Sequence, residues 1–464
     1  MKYLKSVISI MAVASWSALF CACESDNIDP TETTGTNKKD TVYINSDTKM
    51  VTSYAKYPQG SIVWTHDTTL TASFEVPKNK SLYIEPGVTV TANSASDPKV
   101  EIVVLGNLYC MGAKAKPVTF TSDSKKPESW GGIICGYDSK EVVLDHAVIA
   151  YAGATPTESS LSFQNKLFKT TIDGGVPAFH FCNVNGYFVI SNCVFHDSYN
   201  DQIYITGGNS IICNNTFYDS GNAQDGGEGI NFKSGCKSDI AYNLIYNACT
   251  NGFKLSNSGT SETVGSSQLN VYNNTVVNTG WRRSKNKKGG SVWLEKGIAP
   301  VFVNNLIYDC RFGMKQPTTD GADLSKSVLA PNYYFASTAA GVKQCDSTKT
   351  SGVINSDNDI RSTSPGDKDP QFVNFSRTQN MNINCQSDKS SDGAPDAFNS
   401  SWDFHLQSGS PALLGSTTSF TALWTSGIAF SGLKQVDFIS NSDERGFFYY
   451  SPLPSNYFGA FGQK

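Results

Sequence analysis

The chain is short of charge. Asp, Glu, Lys and Arg make up 17% of its 464 residues, against roughly 25% in ordinary soluble domains, and Gly, Asn, Ser and Thr fill the deficit, which favours strands and turns over helices. No excess of one sign compensates: a net charge of −4 gives no global attraction for nucleic acid, and none is expected as a partner. The 12 cysteines include no Cys-x-x-Cys pair and no Cys/His spacing suited to zinc, which excludes a structural zinc module. No two aspartates are adjacent, and neither Asn-Thr-Asp nor Gly-His-Gly occurs, so paired-carboxylate hydrolysis of a glycosidic bond lacks candidates. Beyond residue 22 no stretch approaches the ~18 apolar residues of a spanning helix.

What is present begins with an export signal. Lys2 and Lys5 precede an apolar run over residues 6 to 20, the layout of a secretion signal. Phe20-Cys21-Ala22-Cys23 resembles the lipobox of bacterial lipoproteins, and Glu24, Ser25 and Asp26 resemble the acidic surface-export signal of Bacteroidetes lipoproteins. The resemblance implies cleavage after residue 22, lipid on Cys23, and a cell-surface position on the outer membrane with lipid as the sole membrane attachment, a periplasm-facing anchor being the alternative. Residues 23–48 then read as a flexible tether, 49–335 as the folded body, and 336–464 as closing coils with a capping tail over the last coil. An oxidising compartment permits disulfides, with Cys345 and Cys385 the pair to check. Most of the other cysteines beyond Cys23 fall inside strand patterns and are expected as buried free thiols.

Between residues 179 and 314 an apolar, variable, apolar triplet recurs: FHF, IYI, INF, FKL, VWL, FGM. Period-two alternation makes each a short strand with buried flanks and an outward centre, namely His180, Tyr204, Asn231, Lys254, Trp293 and Gly313. A second column follows each triplet in NNTFYDS, YNLIYNA, NNTVVNT and NNLIYDC, placing Asn215, Asn243, Asn274 and Asn305 at intervals of 28, 31 and 31 residues, with Cys193 in the same place one copy earlier. A fixed period in this range means stacked coils, and stacked side-chain amides satisfy one another along such a stack. Each coil has three strands. The pattern resembles the right-handed parallel β-helix of the pectate-lyase superfamily, an all-β solenoid with an asparagine ladder at the bend between second and third strands. A monomer is expected.

The outward row places Lys254 between Asn231 and Trp293. Beside it the loop at 278–291 carries Trp281, Arg282, Arg283, Lys285, Lys287 and Lys288, and Lys233, Arg311 and Lys315 lie close by. Cations of this density on an acidic chain suit uronates or sulfated sugars, with Tyr204, Trp281 and Trp293 as ring-stacking faces. His180 is expected as a solvent-facing histidine without a role. NGFKL at 251–255 resembles the lysine-base pectate lyases of family nine, which implies that Lys254 is the catalytic base and calcium the cofactor. Where that family carries an aspartate-rich calcium cluster this chain reads GEGIN, leaving Glu228, with Asp201 and Asp225, to hold a metal. Three readings stand, in this order: a surface lipoprotein that binds acidic polysaccharide without cutting it, a pectate-type lyase acting by β-elimination, and a structural or adhesive β-helix.

Overall fold

A computed structural model describes residues 41–45, 48–51, 57–167, 175–221, 226–261, 263–283, 289–375, 397–433 and 448–464. Residues 1 to 40, with Cys23, the loop lysines 285, 287 and 288, and Cys385 lie outside them. From residue 62 the chain winds as a right-handed parallel β-helix. Three sheets run its length, of nine strands for the first strand of each coil and eleven each for the second and third. The second sheet is extended by an antiparallel hairpin, Thr41–Asn45 and Thr48–Val51, the former within the segment read as a tether.

Register explains the packing. In the first sheet Phe179, Ile203, Ile230, Phe253, Val292 and Met314 stand directly above one another, as do Phe181, Ile205, Phe232, Leu255 and Leu294. Both columns point inward and are fully buried. Each such side chain contributes roughly 1.5–3 kcal/mol by leaving water, and the stack gives coils too small to fold alone one continuous core. The same register places Lys315, not Gly313, opposite Trp293. Reading FGM as the sixth triplet was one residue pair out of step, because Met314 fills the inward column and the coil enters its strand later.

The asparagine ladder runs as expected and one coil further. Each Oδ1 accepts the backbone N–H and side-chain amide of the asparagine before it, from Asn215 through Asn243, Asn274 and Asn305 to Asn332. Cys193 N–H opens the ladder on Asn215 and Asp359 closes it. The nine cysteines among the described residues are free and buried.

The end of the tail packs Tyr457, Phe458 and Phe461 in one cluster with Tyr333 and Phe335 of the last coils. The described stretches before it, 417–433 and 448–452, run as the two arms of a hairpin along the outside of the second sheet. Thr417 meets Asn304, Phe420 packs edge-on against Tyr272, Leu423 and Trp424 meet Asp239, and Gly432 accepts from Tyr83. On the return, Tyr449 donates to Asp145, Ser451 to Asp239, and Gly459 N–H meets Asn304 O. The cause lies in the second strands, whose outward column of Val63, Tyr83, Tyr109, Val143, Val189 and Ile211 is apolar and requires a cover.

Candidate functional site

The outward row of the first sheet is more enclosed than its alternation implies. His180, Asn231 and Trp293 are buried, and only Tyr204, Lys254 and Lys315 keep partial exposure. Row residues one coil apart stand about 4.8 Å from each other, so large side chains cover their neighbours. His180, 1% exposed, faces protein rather than solvent; its Nε2 lies 3.3 Å from Thr206 Oγ1, and burial pushes its pKa down to about 3.

Two further columns flank the row. Three residues before each row member come Asp201, Glu228, Asn251 and Gly290; two residues after come Thr206, Lys233, Ser256 and Glu295. Together they build one buried polar cluster. Asp201 Oδ1 accepts from the N–H groups of Gly227 at 3.0 Å and Glu228 at 2.9 Å, and Oδ2 from Asn231 Nδ2 at 2.8 Å. Gly227 is required there: its φ is +106°, and a Cβ would stand 2.4 Å from Gly221 Cα. Burial alone would raise the Asp201 pKa, but hydrogen bonds from Glu228, Asn231 and these backbone groups hold it below the ordinary value. Its neighbour Glu228 goes the other way. Burial first, then the Asp201 charge, push it up to about 8, against the pull of Lys254 and Arg283. The two carboxyls thus share a proton at neutral pH.

Lys254 Nζ lies 3.6 Å from Glu295 Oε1, and Glu295 Oε2 accepts from Trp293 Nε1 at 2.7 Å, so one carboxylate pins two row residues. Burial would lower the Lys254 pKa, but Glu228, Glu295 and Asp201 outweigh it and the ammonium is held charged. Lys233 sits against Lys254 with its Nζ 5.3 Å from the Tyr204 ring centroid. Burial and then the Lys254 charge push it down to about 8. Among these atoms Asn231 Oδ1 and Asn251 Oδ1 are buried acceptors without a hydrogen-bond donor.

The remaining expected binding residues have structural partners. Trp281 is 2% exposed and donates to Asp309 O at 2.7 Å. Arg282 binds the carbonyls of Ser220, Gly221 and Asn247 and the Asn247 side chain, stitching three loops together. Arg311 is fully buried against the carbonyls of Arg283 and Gly280. Lys315 lies over the Phe312 ring at 3.8 Å. Arg283, 9% exposed, acts electrostatically on Glu228. Of the expected basic patch, Lys233, Arg283 and Arg311 are drawn into the fold, while Arg282 and Lys315 keep partial exposure.

Among the described residues no group of three or more His, Cys, Asp or Glu side chains is placed to hold a metal ion, and Asp225 lies outside them. Asp201 is filled by three N–H donors and Glu228 holds a proton, so this donor set does not fit a calcium ion. Sequence reasoning missed Asn251 and Glu295. For Glu295 the signal was its offset of two after Trp293, which alternation puts on the face of the row; Asn251, an odd three residues before Lys254, carried no such signal.

Two family descriptions match the chain: a right handed beta helix region over residues 157–329 and a pectate-lyase like beta helix domain over residues 56–163. No curated protein matches. Among solved structures the chain is similar to the crystal structure of pectate lyase Pel9A, at 13% identity and a TM-score of 0.26, covering 86% of this chain and 97% of that one.

Proposed function

We propose that this β-helix is a lyase that cleaves acidic polysaccharide by β-elimination at the buried cluster on its first sheet. One observation carries the reading: Asp201, Glu228, Lys233, Lys254 and Glu295 are packed together, nearly out of water, on the outer face of four successive coils. Perturbed ionisable groups gathered in this way mark reaction centres more often than structural faces, whereas the fold alone argues for no activity. β-Elimination from a uronate needs a cation on the carboxylate and a base for the adjacent proton. Lys254, held charged by its carboxylate neighbours, and the nearby Arg283 supply cations for an incoming carboxylate without a metal. The non-catalytic binder is the second reading, favoured by the ion pair with Glu295, which keeps Lys254 protonated and unfit as a base.

The carrier of the site is proposed as a Bacteroidetes-type surface lipoprotein, lipidated at Cys23, acting as a monomer on polymers outside the cell. The deciding experiment incubates the purified chain with pectic, alginate and glycosaminoglycan polymers, with and without calcium, and follows the ultraviolet absorbance of unsaturated uronate. Product that forms without calcium and disappears in Glu228→Ala supports the lyase. Retarded migration in glycan gels with no product from any polymer returns the binder to first place.

A further inference from the structure

Lys233 is the anomaly of the cluster. Its residue is 9% exposed, yet among the described residues no carboxylate stands within ion-pair distance of it. Lys254, by contrast, is paired with Glu295. A buried ammonium without a close counter-ion is costly; the Tyr204 ring lies 5.3 Å from Lys233 Nζ, and Asp201, Glu228 and Glu295 act on it from beyond contact distance. The two lysines stand on adjacent coils and act on each other as like charges. Two ammonium groups side by side out of water repel, so one of them gives up its proton more readily. The Glu295 contact fixes which one keeps the charge.

We infer that Lys233, not Lys254, is the catalytic base of the proposed elimination, and that Lys254 is the cation that receives the substrate carboxylate. The inference rests on the lyase reading and deepens it. The neutral Lys233 amine takes the proton from the sugar carbon next to the carboxylate, and the C–H electron pair becomes the new carbon–carbon double bond. The C–O bond to the leaving sugar breaks with its pair, and the departing oxygen takes a proton from water. Burial and the neighbouring Lys254 charge bring Lys233 to about 8, near the working range of a general base. Tyr204, Lys254, Asp201, Glu228 and Glu295 are the titratable groups that face it.

The test compares Lys233→Met, Lys233→Arg and Lys254→Arg in the full chain. Lys233→Met, which keeps the bulk and removes the amine, is expected to lower kcat about 10²–10⁴-fold with KM within a few-fold. Lys233→Arg should fail as badly, because a guanidinium keeps its proton, while Lys254→Arg retains measurable turnover. In the unmodified chain kcat should rise with pH through the Lys233 titration. Product that survives Lys233→Met and disappears in Lys254→Arg overturns the assignment alone; no product from the unmodified chain on any uronate polymer overturns the lyase reading and the assignment with it. An NMR titration of lysine-labelled protein checks the same point without turnover: Lys233 should lose its proton at lower pH than Lys254, and the reverse order would refute the assignment.

Discussion

Glu228 holds a proton at neutral pH because two carboxyls stand side by side out of water and only one can ionise. Folding therefore takes up a proton there, and the sign of the consequence follows. Between the ordinary value of 4.5 and the folded value of about 8 the folded chain binds more protons than the unfolded one, so stability falls as pH rises, by at most about 1.4 kcal/mol per pH unit. The contribution is complete below 4.5 and gone above about 8. Glu228→Gln keeps the shape and removes the titration, so the fall in denaturant midpoint between pH 5 and 8 should be shallower in the variant than in the parent. Identical slopes would mean that Glu228 is ionised throughout. At this scale the sequence named most of the cluster but not its roles. Lys254 stood out through its triplet, whereas the pairing of Asp201 with Glu228, and the ion pair that ties Glu295 to Lys254 rather than to Lys233, depend on how neighbouring coils stack, which no local pattern encodes.

The bend between second and third strands was the most legible element, and the paired asparagines of NNT and NNL explain themselves chemically. The first of each pair, Asn214, Asn273 and Asn304, takes a left-handed φ of +59°, +50° and +59°, which asparagine tolerates better than most residues. The second builds the ladder. These two jobs predict different costs. Asn214→Ala, at an exposed position, should cost roughly 1–2 kcal/mol for the left-handed backbone. Asn274→Ala strips the acceptor from Asn243 N and Nδ2, both at 2.9 Å and both buried, and should cost roughly 2–6 kcal/mol at 1–3 kcal/mol per stranded donor. Equal denaturant midpoints for the two variants would count against the ladder as a source of stability. The sixth triplet was misread for the same reason the ladder was read well: spacing sets the bend, but where a strand begins after a variable loop is decided by which apolar side chain, here Met314, completes the inner column.

Over the whole molecule, the course of the tail was the least legible feature. Its aromatics were visible, but a sequence gives no direction in which to lay them, and the expected cap placed all of them at the nearest open edge. The apolar outward column of the second sheet was the missed clue, since strands such as LYI, LYC and FVI carry apolar side chains on both faces and so cannot stand bare to water. Asp239, buried beneath the hairpin, joins its two arms: Oδ2 accepts from Leu423 N at 2.7 Å and Trp424 N at 3.1 Å on the outward arm, and from Ser451 Oγ at 2.5 Å on the return. Burial raises its pKa, while these three donors oppose the shift, so the hairpin is held by a carboxyl that has no other way to recover its lost water. Asp239→Ala should therefore release the hairpin without unwinding the coils. Loss of about 2 kcal/mol of local stability corresponds to about 30-fold faster amide exchange, expected at 423–424 and 448–452, with the ladder amides of Asn243 and Asn274 unchanged. Dye binding to the uncovered column of Tyr83, Tyr109 and Val143 should rise in step. Uniformly faster exchange along the chain would instead show that tail and coils unfold as one unit, and that the hairpin is part of the core rather than a cover laid upon it.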